Sequence, residues 1–517
     1  MKKILLIVNE KDFDFQIILG KELRDQGFYV DLLICDRWSL FSNIQEIKKE
    51  IDKYKFDDFS IGYFDEMYKK LESYIDSNEK PKVDWEYLKK FEEKYNDGYS
   101  LNQVLRSDFA IADDFHTCRL YPFPKNREMQ YKYLELNLKL IEEIYNSRKY
   151  DLIFSIGTKT VVKPILYKIS IKNNIPFITL EQSRINNRWL FYDNFCIGPD
   201  KKILAEMSRI SMGKNECLKA DKVISEYLNS GEGIYQDIKR IINLSKKRRG
   251  FLFIIKKIYW VTKHHYFLNL KNIRKIPSEK GRCCVPTLFG TLRHYYDNYK
   301  NLILYSRNPK LNRKILPKEK YIYFPLHLIP ESNTATQSIE LNELSAITNL
   351  SIKIPPHWLI VVKLNPAMAW VEAYTKKNQF FNDLLKLPNV YVVSPEIPSF
   401  QLIKNSEAVA CLAGTALIEG SMQNKKGIYW GQPEFNIISN LIHFNDFDNK
   451  FFSMNNSSNI RTYVQAVLNL SFDFDMEIIE TGHSKSSQNY NDNIKLVKNF
   501  TQEAILTIKN KLVEKCS

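Results

Sequence analysis

Short apolar runs bounded by glycine, proline and polar residues recur along the C-terminal part of the chain: Tyr321 to Leu326, Trp358 to Val362, Val390 to Val393, Ala408 to Leu412 and Gly427 to Trp430. Runs this short, flanked by breakers, predict buried strands. Between them the pattern takes on a helical period, over Glu340 to Leu350, Asn378 to Leu385 and Phe400 to Asn405. Strand and helix therefore alternate, which predicts a parallel sheet with helices on both faces. The chain also opens this way. Ile4 to Val8 reads as a strand, Phe15 to Gln26 as a helix ending at Gly27, and Tyr29 to Cys35 as a second strand, a βαβ unit that begins a Rossmann-like domain. The strand pattern returns at Leu152 to Ile156 and at Ile175 to Leu180, on either side of a helix ending near Asn173.

Residues 41–150 are charged, aromatic and helical in period, with helices expected over Glu66 to Asp76, Trp85 to Tyr95 and Gln130 to Tyr145. They read as a helical insertion in the N-terminal domain. A basic, aromatic segment over residues 246–282 contains Lys246-Lys-Arg-Arg249 and an apolar run broken by Lys256, Lys257 and Lys263. That run is too interrupted to span a membrane. It reads either as a helix lying in the interface of an anionic membrane or as a buried helix or connector with a basic outer face. The division expected is residues 1–310 as the N-terminal domain, 311–475 as the C-terminal domain, and 476–517 as a polar loop followed by an amphipathic helix over Asp492 to Glu514.

In an open parallel sheet the ligand crevice lies at the carboxyl ends of the strands, so residues just after each run carry the candidate chemistry. Three such stretches stand out: Phe324-Pro-Leu-His327 with Glu331, Lys363-Leu-Asn365-Pro366, and Ala413-Gly414-Thr415 opening a helix over Ala416 to Gln423. A helix N-terminus presents free N–H groups to an anion. Gly414 lets a phosphate approach the backbone, Thr415 can donate to it or cap the helix, and Glu419 lies within reach of a ribose hydroxyl. The plain alternatives are a turn with a cap, a hydrogen-bonded structural histidine and a solvated glutamate. No GxGxxG follows the first strand, so a dinucleotide is not expected there. Glu10, Asp12 and Asp14 occupy that turn; Asp12 or Asp14 can serve as a general base on an acceptor hydroxyl, or the turn is a solvated acidic cap. Asp113-Asp114 beside His116 is another acid/base cluster or an ordinary charged surface. Arg184 and Arg188, beside a strand end, either clamp a carboxylate or phosphate or pair with Glu181 and Asp193.

The length of 517 residues suits about two or three domains. At 44% hydrophobic and 26% charged the composition is that of a globular protein, but a formal charge of +15 calls for an anionic partner. No zinc-finger spacing, recognition-helix pattern or RNA-binding aromatic motif makes that partner nucleic acid. None of the 8 cysteines forms a CxxC pair, which predicts reduced thiols in a cytoplasmic protein, and Met1 to Val8 reads as a first strand rather than a secretory segment. No DxD stands at a strand end, so no obligatory metal and no cofactor are expected.

Phe324-Pro-Leu-His327 with Pro330-Glu331 and Thr334, then Leu387-Pro-Asn-Val390, Ser399-Phe400, and Gly414-Thr415-Ala416 with Glu419, resemble the bacterial capsule polysaccharide synthesis proteins, a family that includes transferases of the acidic sugar Kdo. The resemblance covers the C-terminal part of the chain well and the remainder loosely. It implies an α/β, GT-B-like fold, two Rossmann-like domains facing a cleft, with a nucleotide sugar held mainly by the C-terminal one. The activity implied is transfer of a sugar from a nucleotide donor, CMP-Kdo by analogy, to a lipid-linked or growing surface glycan at the cytoplasmic face of the membrane. In that scheme Gly414, Thr415, Asn365 and Pro366 hold the donor phosphate, Glu331 and Glu419 bind base or ribose, and His327 faces the cleft. Arg184 and Arg188 hold an anionic group, and Asp12 or Asp14 is the acceptor base. One departure stands out: the family reads Lys-Glu-His-Pro where this chain has Lys363-Leu364-Asn365-Pro366. Asn365 can donate a hydrogen bond but carries no charge. Two rival readings follow, a nucleotide-sugar epimerase on the same fold and an inactive scaffold of a polysaccharide assembly complex.

Overall fold

Strands of a parallel sheet are buried on both faces and so read as unbroken apolar runs, and in a computed structural model the chain builds two such sheets. The structure describes residues 1–8, 13–34, 80–107 without 97, 127–158, 161–231 without 187, 196 and 213–216, 308–327, 336–338, 342–365, 378–472 and 490–514, with isolated positions between them.

The first sheet takes β1 (Lys3–Val8), β2 (Tyr29–Ile34), β3 (Leu152–Ile156), β4 (Phe177–Gln182) and β5 (Trp189–Tyr192). Its order is β2-β1-β3-β4-β5, parallel except where β5 runs antiparallel to β4. Its helices are α1 (Phe13–Asp25), α2 (Trp85–Lys94), α3 (Leu101–Ser107), α4 (Arg127–Arg148) and α5 (Val162–Lys172). Alternate side chains of each strand serve opposite faces. Leu5, Ile7 and Ile153 pack with Leu134, Leu138 and Ile141 of α4 and Ile165 of α5, whereas Ile4, Leu6 and Phe154 pack with Phe15 of α1. The end of the stretch expected to be an insertion is thus the crossover helix between β2 and β3. The chain winds outward from β1 to β2, then returns past β1 to β3, so its direction reverses between β1 and β3.

After β5 come α6 (Lys201–Met212) and α7 (Leu218–Ser230), then β6 (Tyr321–Pro325), α8 (Glu343–Lys353), β7 (Leu359–Lys363), α9 (Asn378–Leu384), β8 (Val390–Val393), α10 (Ser399–Asn405), β9 (Ala408–Cys411), α11 (Ala416–Met422), β10 (Lys426–Tyr429), β11 (Leu441–His443) and α12 (Ile460–Leu470). The second sheet has the order β11-β10-β9-β6-β7-β8, parallel throughout. Counted from its own first strand this is the doubly wound Rossmann order, and it reverses between β6 and β9. With both sheets flanked by helices, the chain has the α/β, GT-B-like architecture of two Rossmann-like units. Ile203 and Met207 of α6 and Tyr227 of α7 pack beneath Tyr323, Val361 and Val409 of the second sheet. Ile185, Leu190 and Tyr192, at the edge of the first sheet, belong to the same apolar cluster, so the core is continuous across the seam.

The chain's end ties the two units together a second time. Phe472 and Trp189 exchange backbone hydrogen bonds, each 2.8 Å, and Arg188 donates from Nε to Ser471 Oγ at 2.9 Å and from Nη2 to the Ser471 carbonyl at 2.7 Å. The terminal helix α13 (Tyr490–Glu514) then lies on the first sheet, with Phe500 against Phe15, Phe191 and Phe472 at centroid distances of 5.3, 5.7 and 6.1 Å. Lys511 pairs with Asp193 at 2.6 Å. Among the described residues no helix is long and apolar enough to cross a membrane. The basic segment 246–282 lies outside the described residues except at 255 and 259, and Asp113, Asp114 and His116 lie outside them altogether.

Truncating Phe500 to alanine removes the ring on which the terminal helix closes against the first sheet. The Phe500→Ala chain is expected to lose about 3 kcal/mol of unfolding free energy, read from urea denaturation; a loss within experimental error would show that the helix does not brace the sheet.

Candidate functional site

The second sheet sets the three stretches singled out in the sequence side by side, because β6 lies between β9 and β7. β6 leads into Leu326 and His327. The Leu326 N–H donates to the Lys363 carbonyl at 2.8 Å, and the His327 N–H donates to Glu343 Oε1 at 2.5 Å. β9 leads into Gly414, whose N–H donates to the Cys411 sulfur at 3.2 Å. The imidazole of His327 lies on Gly414: a methyl group at position 414 would stand 2.5 Å from His327 Cε1. Only glycine allows that approach. Thr415 has helical backbone angles and makes no capping bond through its side chain.

Behind this surface lies a buried ionisable cluster. Lys363, 4% exposed at the end of β7, donates from Nζ to the Ile397 carbonyl at 2.6 Å and to Ser399 Oγ at 3.0 Å. Tyr323 donates to the same Ser399 Oγ at 3.2 Å. Desolvation lowers the Lys363 ammonium to about 8, opposed by the carboxylate of Glu419. Burial raises the phenols of Tyr227 and Tyr323, and Glu419 raises both further. Burial also pushes the Cys411 thiol up to about 12. Glu419, in the first turn of α11, is itself only 5% exposed.

The first sheet meets this surface at its own reversal point. β3 ends in Gly157-Thr158, and the Thr158 hydroxyl lies 3.3 Å from that of Thr336. Beside it a closed polar network spans the seam. Arg184 Nε donates to Glu434 Oε1 at 3.1 Å, Arg184 Nη2 to Gln337 Oε1 at 3.1 Å, and Gln337 Nε2 to Glu434 Oε2 at 3.1 Å. All three residues are buried. Gln337 is held in turn by the Gln432 N–H, which donates to its carbonyl at 2.6 Å.

The sequence-derived candidates are therefore distributed as follows. His327 and Gly414 are in contact, with Thr415 next in the chain. Asn365 is half-buried just past β7, and Glu419 is buried behind the surface. Arg184 lies in the seam network, and Arg188 is bound to Ser471. Asp193, weighed as an arginine partner, pairs with Lys202 and Lys511, both at 2.6 Å. Asp14 is the second residue of α1. Asp12, Glu331 and Pro366 lie outside the described residues. Gln337 and Glu434 escaped the sequence reading. The one signal for Glu434 was a carboxylate inside the otherwise uncharged run Gly431-Gln-Pro-Glu434-Phe-Asn436. Among the described residues no group of three His, Cys, Asp or Glu side chains is placed to hold a metal ion.

No protein-family model matches the chain, and a search of curated proteins finds no match. Among solved structures the chain is similar to KpsC of Thermosulfurimonas dismutans, described as a beta Kdo 2,7 transferase, at 11% identity over 64% of this chain and 80% of that one, with a TM-score of 0.31. It is also similar to the S. aureus MnaA–UDP co-structure, at 10% identity over 99% of this chain and 97% of that one, with a TM-score of 0.24. A UDP-GlcNAc 2-epimerase from Neisseria meningitidis bound to UDP-GlcNAc is similar at 10% identity over 98% of this chain and 100% of that one, with a TM-score of 0.23.

Replacing Arg184 by methionine leaves the Glu434 carboxylate buried without its cation, so Arg184→Met is expected to cost about 3–5 kcal/mol. Adding Glu434→Met should recover most of that loss in denaturant unfolding; equal stabilities of the single and double variants would show that the pair is not coupled. A second expectation concerns pH. The Lys363 ammonium is depressed in the folded chain, so its burial penalty is fully present below pH about 8 and is relieved as pH rises toward the unfolded value of 10.5. The stability of the natural chain relative to Lys363→Met should therefore rise by about 2 kcal/mol between pH 7.5 and 10. A difference that stays flat over that range would contradict the depressed ammonium.

Proposed function

We propose that the chain is a glycosyltransferase that moves a sugar from a nucleotide donor to a hydroxyl of a lipid-linked or growing surface glycan, as in capsule polysaccharide assembly. The observation that carries this reading is the contact of His327 with Gly414 at the reversal point of the second sheet; the end of β3 in the first sheet touches the second unit through Thr158 and Thr336. Crevices at such points are where open α/β sheets take their ligands, and a cleft between two of them has room for a donor on one wall and an acceptor on the other.

The donor phosphate lies against the Gly414-Thr415 turn beside the His327 ring, which fills the space over Gly414, and Asn365 adds a neutral hydrogen bond. Such preorganised donors stabilise charge developing on the leaving phosphate as the bond to the sugar breaks. Glu331 takes base or ribose, and His327 faces the transferred sugar. With asparagine at position 365 the site offers less positive charge to the donor than a histidine there would. CMP-Kdo is the first donor to test, with UDP sugars next. The basic balance of the chain suits an anionic donor and an anionic membrane face alike; residues 246–282 are the candidate contact with the inner leaflet.

The second reading, an inactive scaffold, is favoured by Leu364, which is 1% exposed and packs in the apolar cluster with Leu326 and Phe381. The departure from the family's acidic residue is thus built into the core.

A thermal-shift series against CMP, UDP, GDP, dTDP and their sugars separates the readings. A ligand at about 100 times its Kd stabilises the native state by about 2.7 kcal/mol. The melting temperature is expected to rise with one base and not the others, and the rise should vanish in Gly414→Val and shrink in Thr415→Ala. No shift with any nucleotide, in a chain that unfolds cooperatively, would overturn the transferase reading in favour of the scaffold.

A further inference from the structure

The carboxyl end of the first sheet gathers ionisable groups that the donor site does not use. After β3 the chain turns at Gly157, whose φ of 65° is left-handed. Its N–H donates to the Leu180 carbonyl at 2.8 Å, which draws the turn against β4. Two side chains stand against this turn: a methyl group on Gly157 would lie 3.4 Å from Glu181 Oε2 and 3.9 Å from Lys163 Nζ. The backbone angle favours glycine here, and both groups would stand at ordinary contact distance from a methyl at this position.

Lys163 comes from the first turn of α5 and is 1% exposed, with its ammonium donating to the Ile156 carbonyl and, at 3.2 Å, to the Gly157 carbonyl. Burying a charge at this depth is costly unless it is hydrogen-bonded; the two carbonyls do that, and the Glu181 carboxylate faces the same turn. Glu181 is the penultimate residue of β4 and is only half-buried. Its neighbours on two sides belong to the seam. Thr158, next after Gly157, touches Thr336, and Arg184, a few residues beyond Glu181, enters the seam network with Gln337 and Glu434.

Resting on the glycosyl-transfer reading, we propose that Glu181, set against the Gly157 turn at the end of β3, is the general base that activates the acceptor. The carbonyls that hold Lys163 fix its charge to the end of β3, at the same turn that the Glu181 carboxylate faces. In the step itself the acceptor hydroxyl gives its proton to a carboxylate oxygen of Glu181 while its oxygen bonds to the anomeric carbon of the donor sugar. The bond from that carbon to the phosphate oxygen breaks, and the electron pair leaves with the nucleotide.

The test uses the full chain with UDP-GlcNAc, UDP-glucose and CMP-Kdo, measuring nucleotide affinity by calorimetry and release of free nucleotide to water and to an added excess of glycerol. Glu181→Gln is expected to keep the nucleotide affinity and cooperative unfolding of the natural chain while release falls by about 100-fold or more, and Glu181→Asp should restore part of it. Unchanged release in Glu181→Gln with nucleotide bound overturns the assignment while leaving the donor site in place. Binding without release by the natural chain overturns it as well. Loss of both affinity and cooperative unfolding in Glu181→Gln, not relieved in Glu181→Asp, makes the residue structural and overturns the catalytic role. No binding of any nucleotide sugar to the natural chain fails the donor reading itself, and the base assignment falls with it.

Discussion

A guanidinium buried between two sheets sets the geometry of this protein. Arg184 leaves the end of the first sheet and is received by Glu434 and Gln337 of the second, and these two also bond to each other. Arg184 and Glu434 stand in the turns that follow β4 and β10, so the network fixes where the two sets of strand ends lie relative to one another. The desolvation of a buried ion pair consumes much of its Coulomb attraction. Such a pair therefore adds less to stability than to uniqueness of placement, while the apolar cluster running from Ile185 and Tyr192 into the second sheet provides the larger driving force. Arg188 on Ser471, the backbone bridge between Trp189 and Phe472, and the terminal helix on Phe15 form a second tie on the same edge.

With the sheets held in this way, turns that follow strands of both sheets meet at the seam, one set forming each wall of it. The second wall is built from backbone and neutral groups: Gly414 beneath the His327 ring, and Asn365 beyond β7. Its cation, Lys363, is turned inward to the Ile397 carbonyl and Ser399 and serves the core. The first wall is the charged one, with Glu181 and Lys163 packed against Gly157. In the proposed transfer, the neutral wall stabilises the leaving phosphate through hydrogen bonds and the charged one accepts the proton.

Much of the second sheet was legible from the chain alone. Val390 to Val393 and Leu152 to Ile156 match their strands end to end, and the other expected strands agree to within a residue or two. A strand covered by helices on both faces must be apolar at every position, and its ends must be marked by residues that release the chain into a turn, so both features appear as local pattern. β5 and β11 were not legible. Each is only a few residues long, and each owes its conformation to a neighbouring strand, β4 or β10, more than to its own composition.

The candidate site divides along the same line. That the turns after β6, β7 and β9 would carry the chemistry follows from sequence, because strand ends in an open parallel sheet are marked locally by His327, Asn365 and Gly414. Which of them meet was decided by strand order: β6 and β9 are neighbours although 82 residues separate Leu326 from Ala408, and that adjacency puts His327 on Gly414. Arg184 shows the limit most clearly. Its sequence neighbours Glu181 and Asp193 were the visible partners, but the acid it pairs with lies 250 residues away. A charge records in sequence that it needs a counter-charge; only the packing of the two sheets determines which one it finds.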